Sequence, residues 1–300
     1  MSFSSEVKRT IALLFPDSDS ETNAELLGMI MYSKAVAENE IVFSTDVAEV
    51  SDVFSGLMLA CFDCETVPLI INKNEDKCLY RTILGEEESK RVFERYWPDG
   101  VLGINAEIVK GEKEKAAFVR GAFMSCGFVN PPEKSYSIEF RFDNADLAAD
   151  FSSFMAGIFE MPKLTVRKTN QVAYYRNGNI VGDVLSYIGA KIEAFEVMNA
   201  QAYKSIRNEQ NRQTNFEIAN LSKQAASSVE QLEAIEWLIK NNKLSKLSSQ
   251  LKMTARLRMD NPDLSLSELA KLELPPVSKS QESKRLKHLI ELYKSIKSKQ

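Results

Sequence analysis

The order of helix-like and strand-like patterns between residues 24 and 188 occurs twice, and this repetition limits the possible folds more than any single motif does. In the first pass, Ala24–Ala37 reads as a buried helix and Ile41–Thr45 as a short strand. Asp46–Cys61 then carries Val50, Val53, Phe54, Leu57 and Met58 at helical spacing. Val67–Asn72 and Lys77–Ile83 flank Asn74-Glu75-Asp76 as a hairpin. Glu86–Tyr96 is a helix closed by the turn residues Trp97-Pro98-Asp99-Gly100. In the second pass, Glu114–Cys126 is helical and Tyr136–Phe142 alternates as a strand. Ala145–Phe159 is helical, Leu164–Lys168 and Gln171–Tyr175 make a hairpin around Thr169-Asn170, and Asn179–Ile188 closes the unit. The spacing predicts a duplicated α+β domain over residues 1–195, with two related halves of roughly one hundred residues each. The connections inside the hairpins are too short for parallel crossovers, so the sheets should be mainly antiparallel.

The pattern changes after residue 195. Residues 196–226 are predicted to be a partly helical linker, because Tyr203–Lys223 is rich in Arg, Asn and Gln and poor in large apolar groups. Arg207, Asn211 and Asn215 fall on one helical face, with Arg212 beside them. This face is open to two readings, a solvated linker or a polar surface that reaches a phosphate backbone.

Residues 227–300 are purely helical in pattern. Ser228-Val-Glu-Gln231 has the form of a capping box and precedes a stripe of Leu232, Ile235, Leu238 and Ile239. Leu247, Leu251 and Leu257 mark a second helix, stopped by Asn261-Pro262. A helix-turn-helix follows over about residues 264–297. Ser265-Leu-Ser-Glu268 caps its first helix, which runs through Leu272. Pro275-Pro276 forces a turn, and Ser278-Lys-Ser-Gln281 caps the last helix. That helix carries Leu286, Leu289, Ile290, Tyr293 and Ile296 as its apolar stripe.

The charge distribution supports this placement. Residues 1–200 hold 20 Lys/Arg against 31 Asp/Glu, whereas residues 201–300 hold 18 against 11. Lys279–Gln300 alone holds seven Lys/Arg against two Glu. A recognition helix contacts base edges from its N-terminal residues and phosphates from its flanks. Lys279, Lys284, Arg285 and Lys287 are therefore expected at phosphates, and Ser280, Gln281 and Ser283 at bases.

Other chemistry is poorly represented. The one histidine, His288, argues against histidine-based nucleophilic catalysis. Cys61-x-x-Cys64 is half of a zinc motif without a second half, so the four cysteines read as buried free thiols rather than a metal site. No segment approaches the roughly 18 apolar residues of a membrane span, and no signal peptide is recognisable at the N-terminus. A cytoplasmic, nucleoid-associated location is expected, with no membrane, cofactor or small-molecule substrate.

Several segments resemble the WhiA regulators of Gram-positive bacteria, and the resemblance runs over nearly the whole chain. It is carried by Phe3-Ser-Ser-Glu-Val-Lys8, Phe118-Val-Arg-Gly-Ala-Phe-Met-Ser-Cys-Gly127 and Pro132-Glu-Lys-Ser-Tyr136. Arg207-Asn208, Asn211-Arg212, Ala219-Asn220-Leu221 and Pro275-Pro-Val-Ser-Lys-Ser280 add to it. The resemblance implies an N-terminal domain similar to LAGLIDADG homing endonucleases, tethered to an all-α helix-turn-helix domain. It further implies a role in transcription regulation, cell division and chromosome segregation, with double-stranded DNA as the partner.

In nucleases of that type, two LAGLIDADG helices pack at a pseudo-two-fold axis and each ends near an acidic metal ligand. The corresponding segments are Leu26-Leu-Gly-Met-Ile-Met-Tyr-Ser-Lys34 and Val119-Arg-Gly-Ala-Phe-Met-Ser-Cys-Gly127. They place Ser33 and Cys126 where Mg²⁺ chemistry needs hard carboxylates. A scaffold without catalytic residues, metal or nuclease activity is therefore expected. The recognition helix departs from the family's usual Ser-Lys-Ser-Gly-Val-Asn-His-Arg-Leu at Gln281, Glu282, Ser283 and Lys284. The alternative function is a protein-interaction scaffold for cell division, in which the acidic N-terminal domain binds protein partners and DNA contact is secondary.

Overall fold

The computed structural model describes residues 2–74 and 77–298. The expected turn residues Glu75 and Asp76 lie outside the described residues. The chain divides into two compact units, Met1–Ser205 and Ile206–Gln300.

The first unit opens with helix α1 (Phe3–Ala12), capped by the Ser2 hydroxyl, and helix α2 (Asp19–Met31), capped by Ser18. Strands β1 (Ala35–Ala37) and β2 (Glu40–Thr45) lead to helix α3 (Ala48–Phe62). Strands β3 (Leu69–Asn74) and β4 (Lys77–Leu84) form the hairpin, and helix α4 (Glu86–Tyr96) ends the first half. The second half repeats the order from α2 onward. Helix α5 (Glu112–Cys126) runs into strand β5 (Gly127–Val129), then strand β6 (Ile138–Phe142), helix α6 (Ala145–Ala156), strands β7 (Lys163–Arg167) and β8 (Asn170–Tyr175), and helix α7 (Gly178–Tyr187). Each half makes a four-stranded antiparallel sheet of the same order, β1-β2-β4-β3 and β5-β6-β8-β7.

The duplication extends to single contacts. Phe43 of β2 lies against Phe54 of α3 with ring centroids 4.3 Å apart, and Phe140 of β6 lies against Phe151 of α6 at 4.6 Å. In both halves an inward strand residue meets the helix that covers the same face. At the centre α2 and α5 pack with their backbones in contact. A Cβ on Gly28 would fall on the Phe118 carbonyl oxygen and 2.9 Å from the Ala122 nitrogen; one on Gly121 would fall on the Glu25 carbonyl oxygen. Glycine alone allows this approach.

Three expectations are corrected here. The helix expected over Ala24–Ala37 ends at Met31, and Ala35–Ala37 is strand β1. Ser33 ends it: its backbone N–H donates to the Ile30 carbonyl and its hydroxyl to the Met29 carbonyl, while the Lys34 N–H already donates across to Val42 of β2. Strand β5 continues α5 in the same manner, which the sequence pattern did not show, and α1 was likewise unpredicted.

The third correction concerns residues 196–226. They lie wholly inside helix α8 (Lys191–Lys240), 50 residues long. No Gly or Pro occurs between 191 and 240, so nothing breaks the backbone ladder. Ser228 consequently sits within α8 and does not cap it; its hydroxyl donates to the Pro262 carbonyl at 2.5 Å.

In the second unit, the C-terminal part of α8 packs with helix α9 (Ser249–Asp260), helix α10 (Leu266–Leu272) and helix α11 (Lys279–Lys297). A 3₁₀ turn at Leu244–Lys246 precedes α9, so Leu247 lies just outside that helix. The core gathers Ala234, Ile235, Leu238, Ala255, Leu286, Leu289 and Tyr293.

Candidate nucleic-acid interface

The helix-turn-helix is α10, the turn Glu273–Ser278, and α11. Both expected capping boxes are formed. The Ser265 hydroxyl accepts from the Glu268 N–H while the Glu268 carboxylate accepts from the Ser265 N–H at 2.8 Å. Ser278 and Gln281 repeat the arrangement, with the Gln281 side-chain oxygen accepting from the Ser278 N–H at 3.0 Å. The Val277 N–H donates to the Ala270 carbonyl at 3.0 Å, which ties the turn back to α10. Val277 can do so because the two prolines before it have already ended the helix.

Leu286, Leu289 and Tyr293 are buried, so the opposite side of α11 faces solvent. Lys279, Ser280, Gln281, Lys284, Lys287 and His288 are all exposed. Ser283 is half-buried. Arg285 is drawn inward: its guanidinium is ion-paired to Glu273 and its side chain is only 17% exposed. The basic row therefore consists of Lys279, Lys284 and Lys287 at the helix start, where free N–H groups also favour an anion. On α8, Arg207, Asn211 and Arg212 are exposed, as is everything around them from Ala202 to Lys223.

Beneath the recognition helix lies a polar cluster that the sequence reading missed. Glu282 is fully buried. The Thr254 hydroxyl lies 2.6 Å from a Glu273 carboxylate oxygen and 3.3 Å from one of Glu282. Arg258, also buried, donates to the Leu264 carbonyl at 2.7 Å and so holds the loop between α9 and α10. Burial, then the neighbouring Glu273 charge, pushes the Glu282 pKa above the ordinary carboxylate value; the Thr254 hydroxyl and Arg285 oppose this. The signal was present in the spacing, since Glu282 lies on the same stripe as Leu286, Leu289 and Tyr293.

In the first unit, Ser33 and Cys126 lie at the ends of α2 and α5 and line one cavity. Burial pushes the Cys126 thiol up to about 12, partly offset by Lys8, which keeps it protonated at neutral pH. No cluster of three His, Cys, Asp or Glu suited to a metal occurs among the described residues. None of the four cysteines forms a disulfide, and all four are half-buried rather than fully buried. Among the described residues no helix is long and apolar enough to cross a membrane.

Comparison with known proteins agrees with this architecture. The family description "WhiA C-terminal HTH domain" matches residues 210–293, and "WhiA LAGLIDADG-like domain" matches residues 115–207. The chain is 32% identical to the probable cell division protein WhiA of Thermoanaerobacter pseudethanolicus, covering 99% of this chain and 98% of that one. It is 32% identical to the same-named protein of Clostridium acetobutylicum, over 99% of both chains. Its fold is similar to that of full-length DUF199/WhiA from Thermotoga maritima, with a TM-score of 0.60 at 24% identity over 98% of this chain and 99% of that chain. With both domains matched and the whole length covered, the chain belongs to the WhiA family.

Proposed function

We propose that this chain is a DNA-binding regulator of transcription, acting in cell division and chromosome segregation, with no nuclease activity. The observation that carries the reading is the start of α11. Its capping box fixes the first turn, its apolar stripe is buried, and Lys279, Lys284 and Lys287 remain free beside Ser280 and Gln281. Lysines at that position neutralise phosphates, and short polar side chains reach base edges. Gln281 can read a base with its amide nitrogen while its oxygen stays in the capping box. Arg285, expected from sequence at a phosphate, instead anchors the turn through Glu273. Arg207, Asn211 and Arg212 on α8 are accessible for additional backbone contacts.

The test is binding of the full chain to duplexes recovered by genome-wide mapping, measured by fluorescence anisotropy over a salt series. Lys284→Ala and Lys287→Ala should each weaken binding to all sequences and lower the slope of log affinity against log salt by about one. Unchanged affinity and slope in both variants would remove α11 from the interface. The absence of nuclease activity rests on Ser33 and Cys126, since neither supplies a carboxylate for Mg²⁺. Mg²⁺-dependent cleavage of those duplexes would contradict it.

A second reading, protein docking by the acidic N-terminal domain, is favoured by a difference between the two sheets. On the solvent face of the first sheet, Leu69, Ile71 and Ile83 are 56%, 37% and 48% exposed, with Arg81 among them opposite Leu69. The equivalent face of the second sheet carries Glu139, Arg141 and Arg167. An apolar strand face suits a protein better than a phosphate backbone. Cross-linking of the full chain in its own cell extract, compared with Ile83→Asp, tests this; identical adducts in the two would dispose of it.

A further inference from the structure

The cavity at the ends of α2 and α5 has a volume of about 530 Å³ and is not accounted for by DNA recognition through α11. Lys8 from α1, Lys34 from the α2–β1 turn and Arg141 from β6 all line it. Asp143 is its one lining carboxylate, and it already accepts a hydrogen bond from Asn170 at 3.1 Å. Neither the Lys8 nor the Lys34 ammonium makes a hydrogen bond or ion pair among the described residues; burial lowers the Lys8 pKa, and Asp46 opposes this through space. Arg141 is half-exposed and shares Glu139 with Arg167, which sits closer to that carboxylate at 2.8 Å against 3.4 Å.

Unpaired cations lining one cavity mark a place suited to an anion. The charge of the surroundings sharpens this. Residues 1–200 carry 11 more acids than bases, yet this cavity holds three cations against one carboxylate. A low-dielectric cleft of one sign concentrates small counter-ions of the other.

We propose that this cavity binds a small molecule bearing a phosphate or polyphosphate group, held by Lys8, Lys34 and Arg141. Its volume suits a ligand of nucleotide size. A duplex does not fit inside a cavity of this volume. The nucleases of this fold place acids and metal at Ser33 and Cys126; here neutral side chains leave the positive charge to the protein itself. Anion binding would therefore proceed without a divalent ion.

The experiment is isothermal titration calorimetry of the full chain in EDTA with inorganic phosphate, pyrophosphate and adenosine triphosphate. At least one of the polyphosphates is expected to bind with a Kd below about 1 mM. Lys34→Gln, an exposed position, should weaken it at least tenfold without altering the circular dichroism spectrum, and Lys8→Met should do the same. Lys284→Ala/Lys287→Ala should leave it unchanged, which separates this site from the DNA-binding helix. No heat from any of the three anions up to about 10 mM overturns the proposal. So does binding that survives Lys34→Gln and Lys8→Met, or that disappears in Lys284→Ala/Lys287→Ala. If a short duplex displaces pyrophosphate from the Lys284→Ala/Lys287→Ala variant, the phosphate recognised belongs to DNA and the small-molecule assignment fails.

Discussion

Glu282 and Arg285 lie in one turn of α11 yet answer to different forces than the lysines around them. Glu282 has no exposure, and one of its carboxylate oxygens has no hydrogen-bond partner. Its pKa is raised in the folded chain, first by burial and then by Glu273. The folded protein thus holds this proton more tightly than the unfolded chain does. That contribution to stability is fully present below the unfolded carboxylate pKa and is lost as pH rises through the folded value. Glu282→Gln should therefore raise the denaturation midpoint at neutral pH and flatten its decline as pH rises above the ordinary carboxylate value, read by urea titrations. A lower midpoint at neutral pH would show that Glu282 is needed as an anion. For Arg285 the expected pattern is the reverse of that for Lys284. Arg285→Ala should cost about 1–3 kcal/mol of stability, because Glu273 is left buried without its partner, while the salt slope of DNA binding changes little. The discount from a fully buried pair reflects the solvent still reaching the guanidinium.

At the scale of elements, α2 and α5 are fixed by two glycines and one buried ion pair. The Arg120 Nε donates to a Glu25 carboxylate oxygen at 3.1 Å, with Glu25 fully buried. Burial raises the Glu25 pKa, and Arg120 opposes it through a hydrogen bond and its charge. Arg120→Met should destabilise by about 3–5 kcal/mol, since it strands that carboxylate between the helices. Arg120→Met with Glu25→Leu should recover much of the loss, and a double variant no better than the single would refute this account of the pair. Gly121→Val should prevent the close approach altogether and yield insoluble or expanded protein. These helices, the hairpins and both capping boxes of the helix-turn-helix were legible in sequence because local spacing and turn residues determine them. The end of α2, and the strand β5 that follows α5, were not legible. A helix passing straight into a strand is decided by cross-strand hydrogen bonds such as Lys34 to Val42, and no local pattern records those. The ion pair of Arg285 was not legible for a related reason. Its inward turn depends on Glu273, which lies across a turn and not at helical spacing.

At the scale of the whole molecule, the two units differ from the helix that runs through both. Ala202–Lys223 of α8 is exposed on every side, including Ile206, Phe216, Ile218 and Leu221. A helix with no packed face keeps its hydrogen bonds only against water, so its local opening free energy is low. Amides there should exchange with deuterium well before those of α2 and α5. Trypsin at limiting dose should cut first at Arg207 and Arg212, as seen by mass spectrometry. Protection of this stretch as strong as that of α2 would mean that something covers it. Bound DNA that slows both reactions would favour the backbone contacts proposed for Arg207, Asn211 and Arg212.

The buried Glu282 also bears on how the proposed DNA recognition could be rewired. Its carboxylate, Thr254, Glu273 and Arg285 come from α9, the turn and α11 together. The reading head of this protein is therefore not a portable cassette. A graft of α11 from a relative with an aliphatic residue at position 282 would leave Thr254 with one acceptor fewer and load a methyl-lined surface onto a polar floor. Retargeting by helix exchange would have to move the floor with the helix, whereas changes confined to Ser280, Lys284 and Lys287 leave that floor untouched.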